Sequence, residues 1–209
     1  SGARILKGTG YSSITVPTTP PTAITNTQLL LNFTNAGIYD GTMKNDLETV
    51  GNAQVSTSVV KYGSGSMYFD GNADYLRPNS GQIFNFGTGD FTIEFWLYLN
   101  TTSGSQVFVD CRPGSAGDYI LFDYNSNAIR YYVNTTTVIT GPSLSASSWS
   151  HIALTRANGT VRLFVNGSLT NTATSTTSLG SASNPYIGSN YVPGDYLNGY
   201  MDDLRITKG

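Results

Sequence analysis

The sequence predicts an all-β protein in which two antiparallel sheets pack as a β-sandwich. From Leu29 onward, apolar and polar residues alternate with a period of two, and turn-forming residues recur at short intervals. No segment carries the apolar stripe, repeated every three to four residues, that is typical of an amphipathic helix. Because parallel strands need long crossover connections, usually helices, the predicted sheets are antiparallel.

The composition sets limits on the function. Of 209 residues only 11% are charged and the formal net charge is −2, so the sequence offers no basic stripe for a nucleic-acid backbone. Cys111 is the single cysteine, which excludes an intrachain disulfide and a thiol cluster for zinc. No apolar run approaches the roughly 20 residues of a transmembrane helix. We therefore expect neither nucleic-acid binding nor membrane insertion.

The first half of the domain carries four predicted strands. The longest, FTIEFWLYL, places Phe, Ile and Leu on one face and Thr, Glu, Trp and Tyr on the other, which favours the interior of a two-sheet sandwich. A turn at Gly71-Asn72 separates the second and third strands. In chain order these strands are predicted over 29–33, 67–71, 74–76 and 91–99.

The second half continues the pattern with hairpins. Asn125-Ser126-Asn127 joins two strands, and Ala157-Asn158-Gly159 joins two more; Asn-Gly is a strong hairpin signal because it accepts positive φ at low steric cost. In chain order these strands are predicted over 106–111, 118–124, 128–133, 149–156, 160–167, 168–176, 185–189 and 197–207.

The N-terminal region differs from the rest. ARILKG at residues 3–8 nearly repeats LRITKG at residues 204–209, so we interpret residues 1–11 as the remnant of a preceding repeat; coincidence between two short segments is the alternative. Residues 12–28 hold three prolines among Thr and Ser, which predicts a semi-rigid linker. The domain proper is predicted over residues 29–209.

Four ordered segments carry a resemblance to a known family. YGSGSMYFDGNADYL (62–76), GDFTIEFWLYL (89–99), SWSHIALTRANGTVRLFVNG (148–167) and GYMDDLRITKG (199–209) resemble the laminin G-like family of concanavalin A-like lectin/glucanase domains. The resemblance implies a jelly roll used for adhesion, often to glycans, with calcium in some members. The connector, with RITKG followed by Tyr and Pro-Pro-Thr, resembles repeats of tailed-phage virion proteins. That second resemblance implies a location in the virion, assembled in the host cytoplasm, or otherwise at an extracellular surface.

Because this family is related to glucanases, catalysis has to be tested on the residues. Retaining glucanases need two carboxyl groups about 5 Å apart. The chain has only two glutamates, Glu48 and Glu94. The neighbours of Glu94 on its strand face are Thr92 and Trp96, and Asp90 lies roughly 13 Å away along an extended strand. We therefore expect Glu94 to be structural.

Nucleophilic catalysis is not predicted either. His151 is the only histidine and alternates with Trp149 and Ala153 on one strand face, so a packed, hydrogen-bonded imidazole is expected. Cys111 stands alone with no activating motif. The sequence thus predicts a protein that is not an enzyme.

The segment GSNYVPGDYLNGY, residues 188–200, is the candidate glycan-binding site. It groups Asn190, Tyr191, Asp195 and Tyr196 in a turn-rich stretch before the last strand. Aromatic faces suit the apolar side of a sugar ring, and a few placed polar groups orient its hydroxyls. Of the adjacent residues Tyr131 and Tyr132, the outward one could extend this surface. The alternative is that these tyrosines only cover the edge of the sandwich.

The family resemblance also implies a candidate calcium site. In that family an aspartate opens the strand after the mid-domain loop, which corresponds to Asp118, and a second ligand precedes the strand matching PYIGS, which corresponds to Asn184. Ca²⁺ prefers six to eight oxygen ligands, and this pair supplies one carboxylate and one amide. Asp202 and Asp203 match family aspartates that are more often structural.

We therefore interpret the chain as a non-catalytic adhesion or carbohydrate-binding module of a phage virion, in a tail or fibre protein. Its expected partners are a host-surface glycan or receptor, together with other virion proteins or sister repeats. A structural spacer or decoration domain without a ligand is the alternative. A degenerate glycoside hydrolase is a remote third.

Overall fold

The computed structural model describes residues 13–33, 38–42, 44–79, 84–180 and 184–209. Within these ranges it contains 15 β-strands, all paired antiparallel, in two sheets. The predicted all-β antiparallel sandwich is confirmed. In the described part of the chain, no helix is long and apolar enough to cross a membrane.

The strands follow the alternating segments of the sequence. In chain order they are β1 (Thr27–Leu31), β2 (Leu47–Val50), β3 (Gln54–Ser56), β4 (Ser66–Asp70), β5 (Tyr75–Pro78), β6 (Phe91–Leu99), β7 (Gln106–Asp110), β8 (Ile120–Asn125), β9 (Ala128–Val133), β10 (Thr136–Thr140), β11 (Trp149–Ala157), β12 (Thr160–Val165), β13 (Ser168–Thr174), β14 (Tyr186–Ile187) and β15 (Asn198–Lys208).

Sheet A has the order β13-β12-β11-β6-β15-β4-β3, and sheet B has the order β10-β9-β8-β7-β14-β5-β2. In sheet A, β15 pairs with β6 on one side. On its other side β15 pairs first with β4 and then with β1. A β-bulge between Asp202 and Arg205 separates the two halves of β15, and Asp203 has a positive φ of 52° there. Bulges of this kind re-aim side chains and bend the strand.

The hydrophobic core lies between the two sheets. Phe95 of sheet A packs against Phe108 and Phe122 of sheet B, with ring centroids 5.4 and 5.9 Å away. All three rings are fully buried. Leu121 lies on the outer face of sheet B opposite Tyr132, because its neighbours Ile120 and Phe122 take the core positions.

The tight turns follow the residues that permit them. Asn158 and Gly159 have φ of 49° and 71° and connect β11 to β12. The pattern missed β2, β3 and β10, which are only 4, 3 and 5 residues long and expose much of their surface. Strands that short and that exposed carry too little alternation to be recognised.

The Pro-rich segment contacts the sandwich along much of its length. The predicted linker over 12–28 overlaps β1, which begins at Thr27. In the part of this segment that precedes β1, the Pro21 carbonyl accepts a hydrogen bond from Asn32 Nδ2 at 3.0 Å, and Val16 lies beside Gly167 at the β12–β13 turn. The proposed repeat remnant at residues 1–11 lies outside the described residues.

Phe95→Ala is expected to lower the free energy of unfolding by about 3–5 kcal/mol, because it leaves a cavity between Phe108 and Phe122. Urea denaturation followed by circular dichroism measures the loss. Leu169→Ala is the control, since Leu169 is 50% exposed and its truncation should change stability by about 0.5 kcal/mol or less. Equal effects of the two substitutions would contradict the assigned core.

Candidate functional site

The predicted glycan-binding segment forms a closed loop over residues 188–196, between β14 and β15, at the outer face of sheet B. Leu197 N–H donates to the Gly188 carbonyl at 2.9 Å and closes the base of the loop. Val107 N–H donates to the Asp195 carbonyl at 2.8 Å, which fastens the loop to β7. The loop is therefore held by the backbone of the scaffold, as is typical of binding loops.

A buried ion pair anchors the tip of this loop. Asp110 at the end of β7 is fully buried, and its carboxylate accepts from Arg112 Nε at 2.9 Å and Nη2 at 2.8 Å. The same carboxylate accepts from the Tyr191 backbone N–H at 2.9 Å. Burial alone would lower the pKa of the Arg112 guanidinium, but its bonds to Asp110 raise that pKa overall. This ion pair ties the loop to sheet B.

The Tyr191 ring stacks on the guanidinium that this ion pair holds in place. Arg112 Cζ lies 4.9 Å from the Tyr191 ring centroid, within the range of a cation–π contact. Tyr191 remains partly exposed, and Val192 beside it is 61% exposed. The result is a fixed aromatic surface that is open to solvent on one side.

A second ion pair lies next to the first on the same face. Arg130 of β9 donates to the two carboxylate oxygens of Asp123 at 3.0 and 2.5 Å. Burial raises the pKa of Asp123, while Arg130 and then Arg112 lower it and Asp195 raises it further. Arg130 Cζ also lies 5.9 Å from the Tyr132 ring.

The structure brings together three of the four predicted ligand-binding residues. Asn190 Nδ2 donates to Asp195 Oδ2 at 2.9 Å, beside Tyr191. Tyr196 lies on the other flank of the loop, near Tyr75 and Tyr186, whose rings are 5.3 Å apart. The alternation of β9 turns Tyr131 into the core and leaves Tyr132 on the outer face.

Sequence reasoning missed the ion pairs that hold this site. Asp110 and Tyr191 are joined by a hydrogen bond across 81 positions of the chain, which no local pattern reveals. The available signal was Asp-Cys-Arg at the end of a strand, where a charged pair interrupts an otherwise apolar segment.

The two predicted calcium ligands contact different neighbours. Asp118 lines a cavity of about 310 Å³ together with Val133, Asn134, Thr136, Val138 and Thr174–Thr177, a set that does not include Asn184. Asn184 instead donates to Asn79 Oδ1 at 3.5 Å. The described residues contain no group of three or more His, Cys, Asp or Glu side chains placed to hold a metal ion. Asp118 thus brings a single carboxylate to this cavity.

Glu94 lies on the outer face of the opposite sheet and is committed to a structural cluster. Its Oε1 accepts from Arg205 Nε at 2.7 Å, and its Oε2 lies 3.4 Å from His151 Nε2. All three residues are buried. Burial by itself would raise the pKa of Glu94, but His151 and Arg205 together lower it. The cluster joins β6, β11 and β15.

The Pro-rich segment covers this cluster. A cavity of about 250 Å³ is lined by Thr15–Thr22, Ile24 and Arg205. The charged side of Glu94 is therefore enclosed between strands and the N-terminal segment.

Asp203, in the β-bulge nearby, is a buried carboxyl group of a different kind. It is 3% exposed, and both of its oxygens lack a hydrogen-bond partner. Burial, aided by the charge of Asp202, raises the pKa of Asp203 to about 8. Burial also raises the pKa of Asp202 to about 6. Folding therefore favours the protonated forms of both groups.

Comparisons with known proteins identify a family and solved structures that are similar to this chain. The family model of the Concanavalin A-like lectin/glucanases superfamily matches residues 70–209. Domain 4 of AbnA, a GH43 extracellular arabinanase from Geobacillus stearothermophilus solved in complex with arabinotriose, superimposes with a TM-score of 0.70 at 16% identity, covering 88% of this chain and 93% of that chain. A search of curated proteins gave no match.

Toxin domains share the same fold. The binding domain of botulinum neurotoxin serotype D superimposes with a TM-score of 0.69 at 13% identity, covering 87% of this chain and 48% of that chain. The binding domain of botulinum neurotoxin DC in complex with SialylT gives 0.67 at 14% identity, covering 88% and 48%. The chain thus spans about half the length of these toxin domains, and at such identities the likeness shows the fold alone.

Asp203→Asn tests the assignment of the buried carboxyl. Its pKa lies near 3.8 in the unfolded chain and at about 8 in the folded one, so the folded state binds an extra proton in between. The free energy of unfolding is therefore highest at the low-pH end of this window. It falls as the pH rises from 4 to 8, by on the order of 1 kcal/mol per pH unit. Asparagine tolerates the positive φ, so the variant should be more stable at pH 8 and show a flatter profile.

Urea midpoints measured from pH 4 to pH 8 give both profiles. Asp46→Asn, which alters an exposed carboxylate, should leave the wild-type slope unchanged. Parallel slopes for wild type and Asp203→Asn would show that Asp203 ionises normally.

Proposed function

The chain belongs to the Concanavalin A-like lectin/glucanases superfamily, and from this premise we propose that it is a non-catalytic carbohydrate-binding module. The observation that carries the proposal is the Tyr191 ring, which stacks on Arg112 and stays open to solvent on one side. The glycan-binding surface consists of Asn190, Tyr191 and Asp195, with Tyr132 and Tyr196 at its flanks.

This arrangement has the chemistry that a sugar requires. The apolar C–H face of a pyranose or furanose packs on an aromatic ring, and its hydroxyls need hydrogen-bonding groups at the rim. Asn190 and Asp195 supply an amide and an exposed carboxylate beside the ring. Because the Asp110 anchor fixes the Tyr191 backbone before any ligand arrives, little ordering entropy is lost on binding.

The charges favour a neutral glycan. Arg112 and Arg130 are each paired with an aspartate, and Asp195 adds a carboxylate on the same face. Two arginines against three aspartates leave no positive charge for a carboxylate or sulfate group of an acidic sugar. A neutral sugar that accepts and donates hydrogen bonds meets no such electrostatic cost.

The environment of Glu94 supports binding without hydrolysis. Its carboxylate bonds to Arg205 and lies beside His151 beneath the N-terminal segment, on the sheet opposite Tyr191. An acid held in this way is enclosed away from the glycan-binding surface proposed here.

We propose further that the module serves adhesion to a host-surface glycan within a phage tail or fibre protein, beside sister repeats and other virion proteins. The support for this setting is the resemblance of the connector to repeats of virion proteins. The corresponding location is the virion, or an extracellular surface. A spacer domain without a ligand is the outcome to which a negative binding test would point.

A glycan array tests the proposed function. The wild-type protein should bind a selective set of neutral glycans, and arabinotriose is a rational first probe because the AbnA domain was solved with it. Tyr191→Ala should weaken those hits about tenfold, as for a central aromatic contact. Tyr39→Ala is the matched control, since Tyr39 is 56% exposed and belongs to a different surface. Hits that survive Tyr191→Ala unchanged, or an empty array, would contradict the proposal.

Calcium remains a separate proposal, centred on Asp118. One carboxylate among hydroxyl and amide oxygens makes a weak site, with a dissociation constant of about 10⁻⁴–10⁻³ M. Millimolar Ca²⁺ should then stabilise the fold by about 1.4 kcal/mol and raise the melting temperature by about 2–4 °C. Asp118→Ala should abolish this shift, whereas Asn184→Ala tests the second predicted ligand. A shift that is equal in wild type and Asp118→Ala would place the ion elsewhere.

A further inference from the structure

Four aromatic side chains form a continuous row on the outer face of sheet A, the face opposite Tyr191. Neighbouring ring centroids in this row are 4.9, 5.6 and 5.6 Å apart. Each of the four side chains is partly exposed. In spatial order the aromatic row consists of Tyr68 of β4, Tyr200 of β15, Tyr98 of β6 and Trp149 of β11.

The register of the strands produces this row. Tyr200 stands directly opposite Tyr68 on one side and Tyr98 on the other. Tyr98 in turn stands opposite Trp149. The row therefore crosses three inter-strand spacings, about 14 Å. Cross-strand aromatic pairs stabilise a sheet, yet all four rings also present surface to solvent.

A row of hydrogen-bonding side chains runs beside the aromatic row. Each of these side chains lies two residues from a tyrosine of the aromatic row: Asn100 from Tyr98, Asn198 from Tyr200 and Asp70 from Tyr68. Alternation along the strands therefore places them on the same face as the aromatic row, about 7 Å away from it. Asn100 Nδ2 donates to Asn198 Oδ1 at 2.9 Å, and Asn198 stands opposite Asp70. We call these three residues the polar row.

Trp96 lies on the same face of sheet A as the aromatic row but is covered by other side chains, whereas the four rings of the row are not. Trp96 lies on the same face, two residues before Tyr98, but it is only 5% exposed. Lys61 Nζ covers its ring at 4.0 Å and Tyr62 packs edge-on at 5.8 Å. The chain thus covers one aromatic of this face and leaves the neighbouring four accessible.

We propose that the aromatic row and the polar row together form a second carbohydrate-binding surface, for an extended neutral oligosaccharide. Sugar rings pack on the aromatic row while their hydroxyls exchange hydrogen bonds with the amides and the carboxylate of the polar row. Asp70 is the one charged side chain of the two rows, so an anionic glycan gains nothing there.

The dimensions favour a glycan over a protein partner. Two rows about 7 Å apart and about 14 Å long cover roughly 100 Å², whereas a stable protein interface buries about 800 Å² on each partner. A strip of this shape fits a linear chain of a few sugars. Its position on sheet A separates it from Tyr191 on sheet B, so the two surfaces bind independently.

Tryptophan fluorescence reads this surface directly. The chain has two tryptophans, and Trp96 is buried, so a saturable emission change on adding an oligosaccharide reports on Trp149. The probes are arabinotriose and the neutral oligosaccharides that bind on the array. We expect the change in wild type, Tyr191→Ala and Tyr39→Ala, and its loss in Trp149→Phe.

Two variants test the rows while they keep Trp149 as the reporter. Tyr200→Ala should weaken binding about tenfold. Asn198→Ala keeps every ring and should weaken it severalfold, which preserves the test if Tyr200→Ala fails to fold. Unchanged titrations in both folded variants, or a signal lost only in Tyr191→Ala, would overturn this second surface. If instead Tyr191→Ala weakens none of the array hits while Tyr200→Ala and Asn198→Ala weaken the fluorescence titration, the proposed function at the 188–196 loop fails while this inference stands.

Discussion

The register of β6 is the constraint on which the rest of the structure depends. Its side chains alternate between the core, where Phe95 meets two rings of sheet B, and the outer face, where Glu94, Trp96 and Tyr98 lie. β11 pairs with β6 residue by residue, and β15 pairs with it on both sides of the bulge between Asp202 and Arg205. A slip of one residue would move Glu94 into the apolar core and Phe95 into contact with the N-terminal segment. The core, the buried Glu94 cluster and the aromatic row therefore share one cause.

The charges of this chain act mainly as internal ties. Only 11% of the residues are charged, well below the usual share of about 25%. Several of these acids and arginines form buried ion pairs with one another. Asp110 with Arg112 holds the 188–196 loop, and Glu94 with Arg205 links β6 to β15. Removing one member of such a pair leaves the other buried and uncompensated, which costs more than the pair itself contributes. The surfaces that remain are rich in tyrosine, asparagine and hydroxyl groups.

The alternation of the sequence was sufficient for the long strands and insufficient for the site. Nine-residue strands such as β6 and β11 carry several full periods, so their bounds were predictable from sequence. The two-residue β14 was located only by the apolar residues around it. That Asn190, Tyr191 and Asp195 lie close together was predictable, because one turn-rich segment holds them. Asp110, Arg112 and Arg130 were not, since their relation to that segment arises from sheet pairing across distant parts of the chain.

The order of strands in sheet A differs from their order in the chain. β15 is the fifteenth strand in sequence, yet it lies in the middle of the sheet, between β6 and the pair β4 and β1. Until residues 198–208 have paired, the facing edges of β6, β4 and β1 have no partner and sheet A stays divided into three parts. Formation of sheet A therefore awaits the pairing of residues 198–208, and contacts of such long sequence separation form slowly. Before β15 is in place, these open strand edges are templates for aggregation, so the domain is most vulnerable to aggregation until residues 198–208 have joined the sheet.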